Sequence, residues 1–330
     1  MKKSALSPLW LFTILFLAAM FLPRLAPQGM FGDGLLYASL ARNLAEGKGT
    51  MWAPFFSSGY WIDFASGNPY FENPPLMIWL QAGFFWLLGD HWWVEKLYSL
   101  LLFILNTWLI VRVWEIPIRG TVFQEKYGWL PLFLWYFMPA VIWGNPNNLM
   151  DNNLLTFCLL SLWFALDGLF SGKRVWLKMT LAGVCVYLGF MTKGPVALYP
   201  VAAPFLFACA LTRPSTRGTD IFQGLFQSAW TGLVAIGLFF LMLATIPEAK
   251  FYLENYWEKR LGVVIAGTRE DAELRGWARL SIFWILVKEL AGVAIIFFTL
   301  FFISRKTKKQ GEQAIQGFNS QKISLLFLLL

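Results

Sequence analysis

The chain has 330 residues, 58% of them hydrophobic and 14% charged, with 27 Lys and Arg against 19 Asp and Glu. So much apolar surface on so few charges excludes a soluble globular domain of this length, and a single histidine, His91, excludes a metal centre built on several imidazoles. The composition predicts an all-α, polytopic transmembrane helical bundle, crossed by apolar runs of about 20 residues.

Nine long apolar runs follow in chain order, at 8–22, 74–89, 95–114, 129–144, 152–170, 176–192, 195–211, 222–246 and 281–303. The first comes after Lys2 and Lys3 and ends on Phe21-Leu22-Pro23-Arg24, a poor signal-peptidase site, so it reads as an uncleaved first helix. Trp10, Trp92, Trp93, Trp129, Trp143, Trp176 and Trp257 sit near run ends, where an interfacial belt is expected. Cys158, Cys185 and Cys209 lie inside apolar runs without pairing or ligand spacing and read as small core residues.

Basic clusters mark the cytoplasmic side of a membrane protein. Here they are Lys2-Lys3, Lys173-Arg174 with Lys178, Arg213 with Arg217, and Arg305-Lys306 with Lys308-Lys309. Alternating crossings satisfy all of them only if one run before Lys173 does not cross. The shortest candidate, 74–89, opens on Asn73-Pro74-Pro75 and is expected to lie along the outer interface instead. Eight full spans result, with long external loops at 23–94 and 247–280. This division puts 15 basic and 5 acidic residues inside, against 12 basic and 14 acidic outside. Residues 1–303 form the membrane module, 304–322 a basic cytoplasmic linker, and 323–330 the start of a further apolar segment that is too short to cross.

The external loops hold the polar chemistry. In Gly32-Asp33-Gly34, Asp33 precedes a short amphipathic helix with Leu36, Leu40, Ala41 and Leu44 on one face and Gly47 at its end, a position that suits an N-cap. Asp63 and Glu72 follow, Glu72 directly before the Asn-Pro-Pro turn. Asp151 stands in the amide-rich Asn145-Pro146-Asn147-Asn148-Leu149-Met150-Asp151-Asn152-Asn153, whose side chains suit hydrogen bonds to sugar hydroxyls. Lys193, in Thr192-Lys193-Gly194-Pro195, either snorkels to the interface or meets a lipid phosphate. The second loop alternates aromatic and charged residues around Glu254, Glu258, Lys259 and Arg260, as a surface helix does. Lys288 and Glu289 lie in the outer part of the last full span, where charges are functional candidates. No phosphate-cradling glycine loop is present, so a group-transfer enzyme of this kind needs a donor that arrives in the bilayer.

In this order the motifs resemble those of the membrane-embedded C-superfamily (GT-C) glycosyltransferases, nearest the aminoarabinose transferase and protein O-mannosyltransferase branch. The likeness extends to about residue 303. It rests on Asp33 before the short helix, Glu72-Asn73-Pro74-Pro75, Leu149-Met150-Asp151, Thr192 to Pro195, and Glu258 with Arg260. Two positions depart from the pattern: Gly34 stands where many relatives carry a second acid, and Asn73 where many carry Lys or His. In the aminoarabinose branch that lysine contacts the donor phosphate, so Asn73 speaks against that substrate.

The resemblance implies a glycosyltransferase that moves a hexosyl or pentosyl group from a polyprenyl-phosphate donor to a hydroxyl of a lipid, glycan or protein. Asp33 is then the general base or acceptor-orienting carboxylate, and Lys193 with Arg260 stabilises the departing phosphate. Glu72, Asn73, Asp63, Asp151 and Glu258 shape the site, and a divalent cation on Asp33 and Asp151 is possible chemistry for hard carboxylate oxygens. The expected setting is a bacterial inner membrane, with the N-terminus cytoplasmic and the site periplasmic, among membrane lipids and without nucleic acid. A transporter or flippase of lipid-linked sugars, or a non-catalytic relative of the enzyme, is the alternative.

Overall fold

The structure is a computed structural model that describes residues 7–27, 30–57, 69–120, 124, 127–211 and 217–266, with isolated positions between 284 and 295. Asp63, Glu289, most of the run 281–303 and everything beyond it lie outside the described residues. Apart from a two-residue hairpin pairing Gly49–Thr50 with Ala53–Pro54, the described secondary structure is helical.

Helix α1 (Pro8–Phe21) starts behind a Ser7 cap. An amphipathic α2 (Gly32–Ala45) and an apolar α3 (Leu76–Leu88) precede α4 (Val94–Ile118). The run 129–144 is not one helix: Pro139 forces the preceding Met138 into extended backbone (ψ 125°) and splits it into α5 (Leu130–Phe137) and α6 (Pro139–Gly144). Helix α7 (Met150–Ser171) and α8 (Val175–Lys193) form a hairpin through Gly172 and Arg174, both at positive φ. A 3₁₀ stretch (Gly194–Ala202) leads into α9 (Ala203–Leu211), followed by α10 (Arg217–Thr245), α11 (Pro247–Tyr256), a π-helical turn (Trp257–Leu261) and α12 (Gly262–Ala266).

Among the described residues, five stretches are long and apolar enough to cross a membrane: 8–25, 94–118, 150–171, 175–210 and 220–245. The 36-residue stretch 175–210 reverses within itself. A Cβ on Gly189 would touch Ala197 Cβ at 3.0 Å, whereas eight residues of straight helix rise about 12 Å. Gly194 makes the bend, at φ +73°, ψ −147°, a region open in practice only to glycine. Helix α3, at 13 residues, spans about 20 Å and is too short for a bilayer core of about 30 Å.

Two ends of the bundle are distinct. At one end lie α2, α3, the 145–149 turn, the α8 terminus and α11. Helix α3 is held across this end: Leu76 and Trp79 join Met191 and Met242, Gln81 bonds Asn148 (3.0 Å), and Phe84 packs on Tyr98. The opposite end exposes Arg119, Lys173 and Arg174, with Trp10 beside Gly128 and Lys178 paired to Asp167 at 2.6 Å.

Between the ends, the parallel α4 and α7 share a buried polar seam. Tyr98 donates to Asn153 Oδ1 (2.5 Å), Asn106 donates to Asn152 O (3.0 Å), and Thr156 donates to Asn106 Oδ1 (2.7 Å). Below it, Leu109, Val113 and Ile116 of α4 meet Leu159 and Leu166 of α7 and Phe207 of α9. Helix α1 packs through Leu17 and Phe21 on Phe103 and Tyr136. An apolar cavity of about 390 Å³ opens among Trp114, Leu134, Met138, Leu159, Tyr199 and Phe207.

Trp129 is buried against Trp10 and Leu130, and Trp92, Trp143, Trp176 and Trp257 are exposed. One composition-based expectation needs correction: the cysteines do not all lie in the core. Cys209 faces out of the bundle, because α9 is lined inward by Ala203 and Phe207; only Cys158 and Cys185 are core thiols.

Candidate active site

The N-terminus of α2 is docked onto the turn between α6 and α7. Phe31 N–H donates to Asn147 Oδ1 (3.0 Å), Asn148 Nδ2 donates to Gly34 O (3.2 Å), and the Phe31 ring meets Trp143 edge-on at 4.9 Å. The approach is so close that a Cβ on Gly34 would lie 2.0 Å from Asn147 O. Position 34 therefore has no room for a carboxylate while this packing holds.

Asp33 is not the N-cap. Phe31 holds that position, and Asp33 falls inside the first turn, where its negative charge complements the helix dipole. Its side chain is exposed and makes no ion pair with the described residues. The amides around Asp151 are not open sugar ligands either, because the turn uses them itself. Asn145, Asn148, Asn152 and Asn153 are buried, and Asn145, Asn147 and Asn152 donate to carbonyls of the local backbone.

Lys193 Nζ reaches both carboxylate oxygens of Asp151 at 2.6 Å, joining the end of α8 to the start of α7. Its backbone is fixed by the bend at Gly194, whose α-carbon faces the Tyr256 hydroxyl so closely that a Cβ would lie 2.3 Å from it. A second pair, Arg260 with Glu72 at 3.5 Å, joins the π-helical turn to the Asn-Pro-Pro turn. Around it Tyr252 donates to Asn73 O (2.6 Å), Asn73 Nδ2 donates to Tyr70 (2.9 Å), and Lys259 lies over the Phe71 ring at 4.9 Å. Thus both large loops close on each other.

Asp33 and members of both pairs lie within electrostatic range of one side chain, Tyr37. Burial pushes the Tyr37 phenol up, and Asp33, Asp151 and Glu72 raise it further while Arg260 opposes them. Those four charges therefore all act on one side chain. Tyr37 is the residue that sequence reasoning passed over; its signal was the four-residue spacing from Asp33. Glu258 is exposed and forms no ion pair among the described residues. A divalent cation does not fit the described geometry well. Asp151 is bound by Lys193 through both oxygens, and no group of three or more carboxylate, thiol or imidazole ligands gathers among the described residues.

The described residues thus form a helical bundle with two interlocked loops and ion-paired carboxylates at one end. The family described as dolichyl-phosphate-mannose-protein mannosyltransferase matches residues 72–245, just over half of the chain, and the chain belongs to that family. A search of curated proteins gave no match. Among solved structures, the archaeal oligosaccharyltransferase AglB from Archaeoglobus fulgidus, in complex with an inhibitory peptide and a dolichol-phosphate, is similar at 12% identity and a TM-score of 0.47. The alignment covers 94% of this chain and 39% of that one.

Proposed function

We propose that the chain transfers a hexosyl or pentosyl group from a polyprenyl-phosphate donor to a hydroxyl of a lipid, glycan or protein, on the outer face of a bacterial inner membrane. The observation that carries this reading is the gathering of Asp33, Asp151–Lys193 and Glu72–Arg260 around Tyr37 at the end of the bundle away from Lys173 and Arg174. Family membership supports the donor type. In the proposed step the acceptor O–H gives its proton to the Asp33 carboxylate. The acceptor oxygen bonds the anomeric carbon, the bond from that carbon to the phosphate oxygen breaks, and the polyprenyl phosphate leaves with the electron pair. Lys193 and Arg260 stabilise the charge that builds on the leaving oxygen. Asp33 is exposed and makes no ion pair with the described residues, so its carboxylate is open to an acceptor hydroxyl.

The test is reconstitution of the full chain with a radiolabelled polyprenyl-phosphate sugar, comparing wild type with Asp33→Asn. Removal of a general base costs roughly 10²–10⁴ in rate, so transfer should fall by that factor while donor binding persists. Label that crosses the bilayer without becoming covalently attached would instead support a transporter. Absence of both would support a non-catalytic relative.

A further inference from the structure

Tyr37 has no part in the scheme above. It lies four residues beyond Asp33 on α2, so the two side chains share a face of that helix. Its ring is buried in the cluster that holds Tyr70 and Met150, which stand two residues before Glu72 and one before Asp151. The phenol is thereby packed among the residues that precede Glu72 and Asp151, within electrostatic range of Asp33 and of Asp151, Glu72 and Arg260 from the two ion pairs. The other tyrosines of this end are engaged within the protein: Tyr70 accepts from Asn73, Tyr252 donates to Asn73 O, and the Tyr256 hydroxyl rests against Gly194. Among the described residues the Tyr37 hydroxyl has no hydrogen-bond partner.

We propose that Tyr37 donates a hydrogen bond to the phosphate of the lipid-linked donor. The proposal rests on the glycosyltransferase reading and adds a phosphate contact to it. The electrostatics favour this role. A phosphate entering the cluster meets three carboxylates and two cations, and each cation is already shared with a carboxylate. A neutral O–H attracts the phosphate without adding charge, and its bond strengthens as negative charge grows on the leaving oxygen. Because burial and the carboxylates hold its proton on, Tyr37 remains a donor at neutral and mildly alkaline pH and does not serve as a base.

The experiment is binding of a short-chain polyprenyl phosphate, and separately of the uncharged polyprenol, to the detergent-solubilised full chain. Tyr37→Phe removes one oxygen and keeps the ring. The expected result is about tenfold weaker binding of the phosphate, the size of a hydrogen bond to a charged oxygen, with polyprenol binding unchanged. Equal phosphate affinity in wild type and variant overturns the proposal. So does an equal loss for phosphate and polyprenol, which would mean that Tyr37 acts through packing alone. A wild-type protein that binds no polyprenyl phosphate would remove the glycosyltransferase reading and this proposal together, whereas the two results just named remove this proposal alone.

Discussion

At Gly34 a departure from the pattern of related motifs has a steric cause. The α2 backbone approaches the 145–148 turn so closely that the missing side chain is a condition of docking, and the docking holds the start of α2, which carries Asp33, on the turn that leads into Asp151. Gly34→Ala places a methyl 2.0 Å from Asn147 O and should cost about 1–3 kcal/mol, as overpacked cores do. In a thermal melt this reads as a Tm several degrees lower. Gly32→Ala is the internal control: nothing lies within 4 Å of its Cβ, so its melt should match or slightly exceed wild type. Equal melting of the Gly34 variant and wild type would sink the docking argument. In the sequence, Asp33, Asp151 and Lys193 are legible as charges at the margins of apolar runs. Their convergence is not, since Asp151 and Lys193 are 42 positions apart and nothing local encodes the pair. Tyr37 escapes notice because an aromatic on an amphipathic face reads as core, and its ring is in fact core; only the hydroxyl has a further use.

Among the elements, the long spans are legible because their apolar runs have the length a bilayer demands. The break in 129–144 also has a sequence signal, Pro139. The amide run before α7 misleads, because Asn is as suited to closing a turn and bonding a neighbouring helix as to binding a sugar, and residue type alone does not say which. Part of that run continues into the α4–α7 seam, which makes an element-scale prediction. Asn106→Ala removes the acceptor of Thr156 and a donor to Asn152 O, and should destabilise by about 0.5–2 kcal/mol, the range for hydrogen bonds between membrane helices. The double variant Asn106→Leu with Thr156→Val replaces both partners by apolar groups of similar shape and should melt nearer to wild type than the single variant. A double variant that melts lower than Asn106→Ala would show that the seam contributes through something other than this pair.

For the whole molecule, the described residues have two ends. The described parts of 22–57 and 69–93, the 145–149 turn, Lys193 and residues 246–266 share one end, while Arg119, Lys173 and Arg174 share the other. Charge counting assigns the first end to the outside, because clustered Lys and Arg resist translocation and Asp and Glu contribute little to orientation. The assignment is open to a direct labelling test. Lys48→Cys and Lys173→Cys place thiols on exposed positions at opposite ends. Cys158 and Cys185 are buried and can stay, while Cys209 is exposed and is replaced by Ser in both variants. A membrane-impermeant maleimide added to intact cells stripped of their outer barrier should label Lys48→Cys at once, and Lys173→Cys only after the membrane is opened. Each variant removes a single cation; Arg174 and Lys178 keep the second end basic, so the orientation should survive the substitution. The reverse labelling order would turn the bundle over and move Asp33 and Lys193 to the cytoplasmic side, which would require the donor to present its sugar there. Labelling of both thiols from one side would contradict the two-ended bundle itself.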